Sequence, residues 1–193
     1  MFVSGFFVRI KNLLLSPMRE WETISGEPNT VKTIALCWLL PLSCFVVGAT
    51  MLAYGLSGIS FYPVSAGAAA GVSLVILYIS SIVFSAFLWY LFVPLFGGAR
   101  AYNRAFALAA YSFTPVFLIN IAVLIPDLGL RLSMYTFSVF ALICGLYTLY
   151  RGVAPMMGVA KHLWYFVLCA ALALGVLAFA MFVLFFPLVR QFF

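Results

Sequence analysis

Charge is scarce in this chain, and catalytic side chains are scarcer still. Lysine, arginine, aspartate and glutamate make up 7% of the 193 residues, against about 25% in a typical soluble domain. His162 is the only histidine, and Asp127 is the only acid after Glu27. No Ser-His-Asp triad, carboxylate pair or multi-ligand zinc site can be assembled from these residues. We therefore expect a protein that is not an enzyme and holds no cofactor or metal ion. A lipid-processing enzyme would have to depend on His162.

The cysteines and the basic residues exclude further classes of protein. No two cysteines have the CxxC spacing of metal and redox sites, and no glycine-rich phosphate loop is present. The net charge is +6, but the basic residues are scattered and form no aromatic-studded basic face, which argues against nucleic-acid binding. All four cysteines lie in apolar runs, which predicts small buried hydrophobic side chains. They are Cys37, Cys44, Cys144 and Cys169.

Hydrophobic residues are what the chain has in abundance, at 67% of the total and a mean hydropathy of +1.22. A soluble fold of this length leaves roughly a third of its surface exposed and could not hide so much apolar area. Five apolar runs are long enough to cross about 30 Å of hydrocarbon, and helices satisfy the backbone there. The sequence predicts an all-α polytopic membrane protein in which residues 31–193 form one five-helix domain. The predicted spans are about 31–56, 64–96, 105–125, 132–150 and 162–188.

Residues 1–30 differ from the rest of the chain and hold three of its four acids. Wound as a helix, residues 2–14 place an aromatic and apolar stripe beside basic residues, which is typical of an amphipathic helix in the headgroup plane. Ser16 and Pro17 then predict the N-cap and first residue of a second, short helix. Trp21 on that helix is predicted to anchor it at the membrane interface.

The distribution of lysine and arginine predicts the orientation. With the N-terminus inside, eight of these residues lie on the inner side and only Arg131 and Arg190 lie outside. The positive-inside rule therefore predicts a cytoplasmic N-terminus, a periplasmic C-terminus, and a place in the inner (plasma) membrane with lipids as partners. Some inner basic residues either hold an anionic lipid headgroup or only set the topology. They are Arg9, Lys11, Arg100, Arg104, Arg151 and Lys161.

Small residues on the second span predict close helix packing. Gly67 and Gly71 form a GxxxG motif in an apolar helix, which lets another backbone approach closely. The approaching helix belongs either to the same chain or to a partner, including a second copy of the protein.

Two prolines and two polar residues mark possible breaks in the spans. Pro41 and Pro115 each remove a helical hydrogen bond and predict a kink, which is either a hinge or a bend that serves packing. No span has a charged residue near its centre. Thr114 and Asn120 therefore either bond neighbouring helices or line a path for a neutral solute.

Six short segments between Leu15 and Lys161 carry a family pattern through their order and spacing. They are Leu15-Ser16-Pro17, Glu20-Trp21-Glu22, Phe96-Gly97-Gly98, Tyr111-Ser112-Phe113-Thr114-Pro115, Leu124-Ile125-Pro126 and Leu146-Tyr147-Thr148-Leu149-Tyr150-Arg151-Gly152-Val153-Ala154. Together they resemble the Yip family of five-span membrane proteins, in its bacterial inner-membrane branch.

The resemblance implies five spans and a cytoplasmic N-terminus, in agreement with the charge count. Eukaryotic members bind prenylated Rab-type GTPases and one another in vesicle traffic between the endoplasmic reticulum and the Golgi. The family has no established catalytic residues. The leading hypothesis is a non-enzymatic Yip-type protein that organises membrane or protein partners, or copies of itself, through helix–helix contacts. The alternative is a transporter or channel for an ion, a lipid or a small neutral solute.

Overall fold

The computed structural model describes residues 2–56, 64–119 and 128–159, and all regular structure in these ranges is helical. Three helices there are long and apolar enough to cross a membrane, at Val31–Ala53, Gly67–Leu95 and Phe140–Met157. They correspond to the first, second and fourth predicted spans. The fifth predicted span, 162–188, lies outside the described residues, and the count of five stays a prediction.

Two short helices precede the first span. Helix α1 is Phe2–Leu15 and helix α2 is Pro17–Gly26. Pro17 is the first residue of α2, where its missing N–H group would have no helical partner in any case. Ser16 occupies the predicted N-cap position, but its side chain makes no capping hydrogen bond.

The first span is one helical segment with a widened turn near its start. It consists of α3 (Val31–Ile34), a π-helical segment (Ala35–Leu39) and α4 (Leu40–Leu56). Thr30 caps α3 through its hydroxyl, which accepts from the Thr33 N–H at 3.2 Å. In a regular helix, the ring of Pro41 would clash with the carbonyl of Cys37. The π turn just before the proline, where the Leu40 N–H bonds to the Ala35 carbonyl, gives this ring room.

The second span is α5 (Val64–Phe92), followed by a 3-10 turn at Val93–Phe96. Gly97 ends it in the left-handed conformation, with φ 79°. The Gly98 N–H then bonds back to the Val93 carbonyl at 3.2 Å, the closing bond of a Schellman motif. Helices α4 and α5 form the most extensive contact between elements of the described chain.

The third predicted span starts as two short helices, α6 (Tyr102–Ser112) and α7 (Thr114–Leu118). Every side chain from Ala105 to Ser112 is buried. A helix buried on all sides lies at the centre of a bundle, and α6 contacts α3, α5 and α8, the last described helix. The helix is interrupted at Phe113, two residues before Pro115, which has no N–H to offer the Tyr111 carbonyl.

Helix α8 covers Leu128–Met157 and ends at Gly158, which has φ 69°. The sequence predicted a span ending at Tyr150, before the charge of Arg151. The helix continues for seven more residues and contains Pro155 near its end. A helix need not stop where the hydrocarbon stops, because its last turns can lie at headgroup level.

The prediction that the cysteines are buried is wrong for two of them. Cys37 and Cys44 are exposed on the first span, and Cys144 is half-buried; Cys169 lies outside the described residues. The outward face of a membrane span is as apolar as its packed face. An apolar run therefore does not indicate which side chains face protein.

Candidate functional site

Helix α2 is docked on the bundle through the indole of Trp21, which is fully buried. The Trp21 Nε1–H donates to the carbonyl oxygen of Thr148 at 2.9 Å. Gly152, one turn further along α8, provides the space: a Cβ atom there would lie 2.5 Å from Trp21 Cε2 and 2.7 Å from Leu108 Cδ1. The prediction of Trp21 as an interface anchor is therefore wrong. Its apolar ring and polar N–H suit a membrane interface and a buried site equally well. The space left by Gly152 allows the ring to be buried.

Arg9 fastens α1 to three other parts of the chain. Its Nε donates to Glu20 Oε1 at 3.1 Å, and its two Nη atoms form a bidentate pair with Glu27. Nη1 also lies 3.3 Å from the hydroxyl of Tyr111 on α6. The second oxygen of Glu20 accepts from Asn12 Nδ2 at 2.9 Å. These bonds join α1, α2, the segment after α2 and the central helix in one network.

The network stabilises the charged form of Arg9. Burial acts to lower its pKa, but the hydrogen bond to Glu27 and the attraction of Tyr111 and Glu27 outweigh burial, and the pKa lies above its ordinary value. The guanidinium also lies 5.8 Å from the centre of the Tyr111 ring. Its cationic form is therefore stabilised by partners within the chain, and most of its donors are in use.

An aromatic cluster continues from this network into the bundle. The Trp38 ring lies 4.9 Å from Phe6 and 4.8 Å from Tyr111, measured between ring centres. The Trp38 Nε1–H donates to Thr114 Oγ1 at 3.2 Å, and Thr114 is fully buried. A cleft of about 580 Å³ opens between α1 and the start of the first span; we call it the Arg9 cleft. Its lining includes Arg9, Glu27, Cys37, Trp38 and Tyr111.

A second cleft, of about 470 Å³, lies where the α1–α2 junction meets α8; we call it the Arg151 cleft. The Arg151 Nε donates to the Tyr147 hydroxyl at 3.2 Å, and its guanidinium lies over the Tyr147 ring at 5.3 Å. Arg19 and Glu22 from α2 line the same cleft. Among the described residues, the two acids paired with a basic side chain are Glu20 and Glu27, both with Arg9. Neither arginine of this cleft is paired with an acid in that part of the chain.

The other predicted site residues are dispersed. Lys11 and Arg104 are exposed, and Arg100 stacks at 5.2 Å on the ring of Tyr90. Asn120 and Lys161 lie outside the described residues. Lipid contact by any of the predicted basic residues, and a pathway role for Pro41, Thr114 or Pro115, stay predictions.

The GxxxG motif is used within the chain at its second glycine. Gly67 and Gly71 are both buried. A Cβ atom at Gly71 would collide with Thr50 Oγ1 and lie 2.9 Å from the Cα of Val47, both on α4. The Thr50 hydroxyl is bonded to the carbonyls of Val46 and Val47 at 3.0 and 2.9 Å. The α4–α5 contact therefore depends on a bare backbone at Gly71.

Segments that are distant in sequence come together around α2. Trp21 contacts Gly152 and bonds to Thr148, and its ring meets that of Tyr111 edge-on at 6.1 Å. Gly98 belongs to a second junction, where the Ala99 N–H donates to the Met157 carbonyl at 3.1 Å. A Cβ atom at Gly98 would lie 2.7 Å from Val159 Cγ2. The short segments that carried the family pattern thus include the contacts that dock α2 and close the ends of α5 and α8.

Sequence reasoning missed Glu20, Glu27 and Arg19 as site residues. A signal existed, because three acids are concentrated in residues 20–27 of a chain with almost no others. Acids gathered beside an amphipathic basic helix indicate an ion-paired contact between the two segments. Which acid pairs with which base depends on the angle between α1 and α2.

Comparison with known proteins supports one family. A family model described as the Yip1 domain matches residues 11–184. No curated protein and no solved structure matches the chain.

Proposed function

The chain belongs to the Yip1 domain family, and from this premise we propose that it organises membrane or protein partners without catalysing a reaction. Three apolar helices in the described part of the chain are long enough to span a bilayer, so the protein is a membrane protein. The observation that carries the proposal is the docking of α1 and α2: they form a surface that is fixed to the bundle and also exposes apolar side chains.

Both helices expose large apolar side chains. We call this set the α1–α2 row, and its most exposed members are Phe7 at 63%, Leu15 at 72% and Met18 at 57%. The opposite side of α1 faces the protein, with Leu13 buried and Phe6 and Ile10 packed against the core. Large apolar side chains exposed together on two short helices are unfavourable in water and typically mark contact with a membrane or a protein. We infer that the row is the contact surface of this protein.

The surroundings of Gly71 favour the α1–α2 row over the second span as the surface that contacts a partner. The backbone at this glycine is already covered by Thr50 and Val47 of the same chain. A partner helix would have to displace α4 to use it. The helix–helix contacts that we propose are therefore made by α1 and α2.

Site-directed cross-linking in living cells tests this proposal. A photo-reactive residue is placed at Phe7, Leu15 or Met18, and the matched controls carry it at Ile76 or Val83, which are exposed on α5. We expect one recurrent, near-stoichiometric adduct at the three row positions and none of it at the controls. The charged variant Phe7→Glu should abolish the adduct formed through Leu15, because a carboxylate in an apolar contact is strongly unfavourable.

Two outcomes would contradict the proposal. Identical lipid-only adducts at all five positions would make the row an ordinary lipid-facing surface. Protein-dependent solute flux in liposomes, changed by Thr114→Val, would instead support the transporter or channel.

A further inference from the structure

We propose that the Arg151 cleft binds the phosphate of an anionic phospholipid headgroup. The inference rests on the proposed function, because it names a lipid as one partner of the α1–α2 surface. It depends on residues that the structure brings together from two distant segments, Arg19 in α2 and Arg151 in α8.

The first step is the charge of the cleft. Arg19 and Arg151 contribute two positive charges and Glu22 one negative charge, so the lining has a net charge of about +1 at neutral pH. Neither arginine has an acidic partner among the described residues. An anion bound here would therefore meet an excess of positive charge. It would not first have to break an ion pair between an arginine and a carboxylate.

The second step is the donor geometry at Arg151. One N–H, on Nε, is used in the bond to the Tyr147 hydroxyl, and the guanidinium is stacked on the Tyr147 ring. The Nη donors make no hydrogen bond within the described chain. A planar guanidinium held by a ring and a hydroxyl is pre-oriented, and its remaining donors suit the oxygens of a phosphate. The first turn of α2 lines the same cleft and adds the positive end of its dipole.

The third step identifies the source of the phosphate. Leu15 and Met18 line the cleft beside the two arginines, and both belong to the α1–α2 row. A soluble anion gains nothing from exposed apolar side chains, whereas a phospholipid buries its glycerol and acyl region against them. Adjacent cationic and apolar surfaces on a membrane protein match an amphiphile with an anionic head.

The Arg9 cleft provides the internal comparison. Its lining holds one base and one acid, Arg9 and Glu27, and the guanidinium is bonded to Glu27 and also to Glu20. The charges of its lining therefore cancel, and an anionic headgroup would have to compete with Glu27 for Arg9. Of the two clefts, only the Arg151 cleft is suited to an anion.

Native mass spectrometry of the purified full chain in detergent tests the inference, with phosphatidylglycerol, phosphatidylethanolamine and inorganic phosphate as separate probes. We expect phosphatidylglycerol to bind most tightly. The double variant Arg19→Gln/Arg151→Gln should weaken that binding about tenfold or more, since each lost arginine removes charge and hydrogen bonds to the phosphate. The matched control is Arg100→Gln/Arg104→Gln, which removes the same charge outside the cleft and should change binding less than about threefold.

A gain of affinity gives an independent readout. Glu22→Gln removes the acid of the cleft and should strengthen phosphatidylglycerol binding by about twofold to fivefold, because one repulsive charge is lost. A purely structural role for these residues would not predict tighter binding. The exposed positions of Arg19 and Glu22 make misfolding of these variants an unexpected result, and circular dichroism checks it.

Three results would overturn the inference. The first is an equal loss in the cleft and control variants, which would show general surface electrostatics. The second is equal binding of phosphatidylglycerol and phosphatidylethanolamine. The third is displacement of the lipid by millimolar phosphate, which would indicate a soluble anion. None of these alters the cross-links formed at the α1–α2 row, so failure here and failure of the proposed function are separate observations.

Discussion

Arg9 lies on α1 and Arg151 lies on α8 facing the α1–α2 junction, and the surroundings of their guanidiniums differ. Arg9 is bonded to Glu20, Glu27 and Tyr111, and its charge is balanced within the chain. Arg151 is bonded to the hydroxyl of Tyr147 and forms no ion pair with an acid among the described residues. The first arginine therefore stabilises the docking of α1 and α2, whereas the second is available to something outside the chain.

The difference comes from where three glutamates lie on α2 and just after it. Glu20 and Glu27 are directed to Arg9, whereas Glu22 lies in the Arg151 cleft beside a second arginine. Two acids around one base form a closed network, and two bases around one acid leave an excess of positive charge. The same short segment thus supplies both the ion pairs that hold α1 in place and a surface for an anionic partner.

The largest effect is expected from undocking α2, which would destroy both clefts together. Gly152→Ala places a Cβ atom 2.5 Å from the buried Trp21 ring, and such overpacking costs about 1–3 kcal/mol. The control Gly48→Ala adds the same atom where nothing lies within 4 Å, and a helical alanine should be neutral or stabilising there. SDS titration of the purified protein measures both free energies of unfolding. Equal free energies of unfolding for the two variants would contradict the packing of the Trp21 ring against Gly152.

Removing Arg9 should weaken the docking of α1 and α2 without affecting the Arg151 cleft. Arg9→Gln leaves Glu20 and Glu27 close together without a cation, and we expect unfolding to become easier by about 2 kcal/mol, a value reduced for partial solvent exposure. Adding Glu20→Gln and Glu27→Gln to this variant should restore part of the loss, because the uncompensated charges are gone. Purely additive losses across this series would contradict the network. Lipid binding at the Arg151 cleft should persist in a folded Arg9→Gln protein.

The indole hydrogen bond should contribute less than the ion pairs. Trp21→Phe removes the N–H that bonds to the Thr148 carbonyl and keeps an aromatic ring in the buried site. We expect a loss of about 1–2 kcal/mol in the same SDS titration, followed by circular dichroism. A larger loss than that of Arg9→Gln would show that the ring, rather than the charge network, dominates the docking of α2.

The smallest change in stability is expected at Arg151. Arg151→Gln removes a partly exposed charge whose one described hydrogen bond is to Tyr147, and the free energy of unfolding should change by less than about 0.5 kcal/mol. A loss as large as that of Arg9→Gln would show that Arg151 is a structural residue. The contrast between the two arginines would then no longer hold.

The helical membrane class and three of the spans were predictable because they depend on apolar length alone. The run from Val31 is long enough to cross hydrocarbon whatever it packs against, and the structure places a candidate span there, at Val31–Ala53. The same reasoning failed for Cys37 and Cys44, since an apolar run has no signal that separates its lipid face from its protein face. The predicted span ends at Tyr150, whereas helix α8 continues to Met157, because a charge limits the hydrocarbon segment and not the helix.

For the site, composition indicated which groups were present but not how they were paired. The concentration of acids in residues 20–27 and the motif pieces around Trp21, Tyr111 and Gly152 were visible in the chain. The membrane class and the scarcity of catalytic groups follow from the sequence alone, since both are properties of residue types and their spacing. Only the tertiary structure decided that Trp21 is buried, that the charge of Arg9 is balanced by acids and that Arg19 lies in one cleft with Arg151. Each of these depends on contacts between segments more than ten residues apart, and the angles at which helices cross determine such contacts.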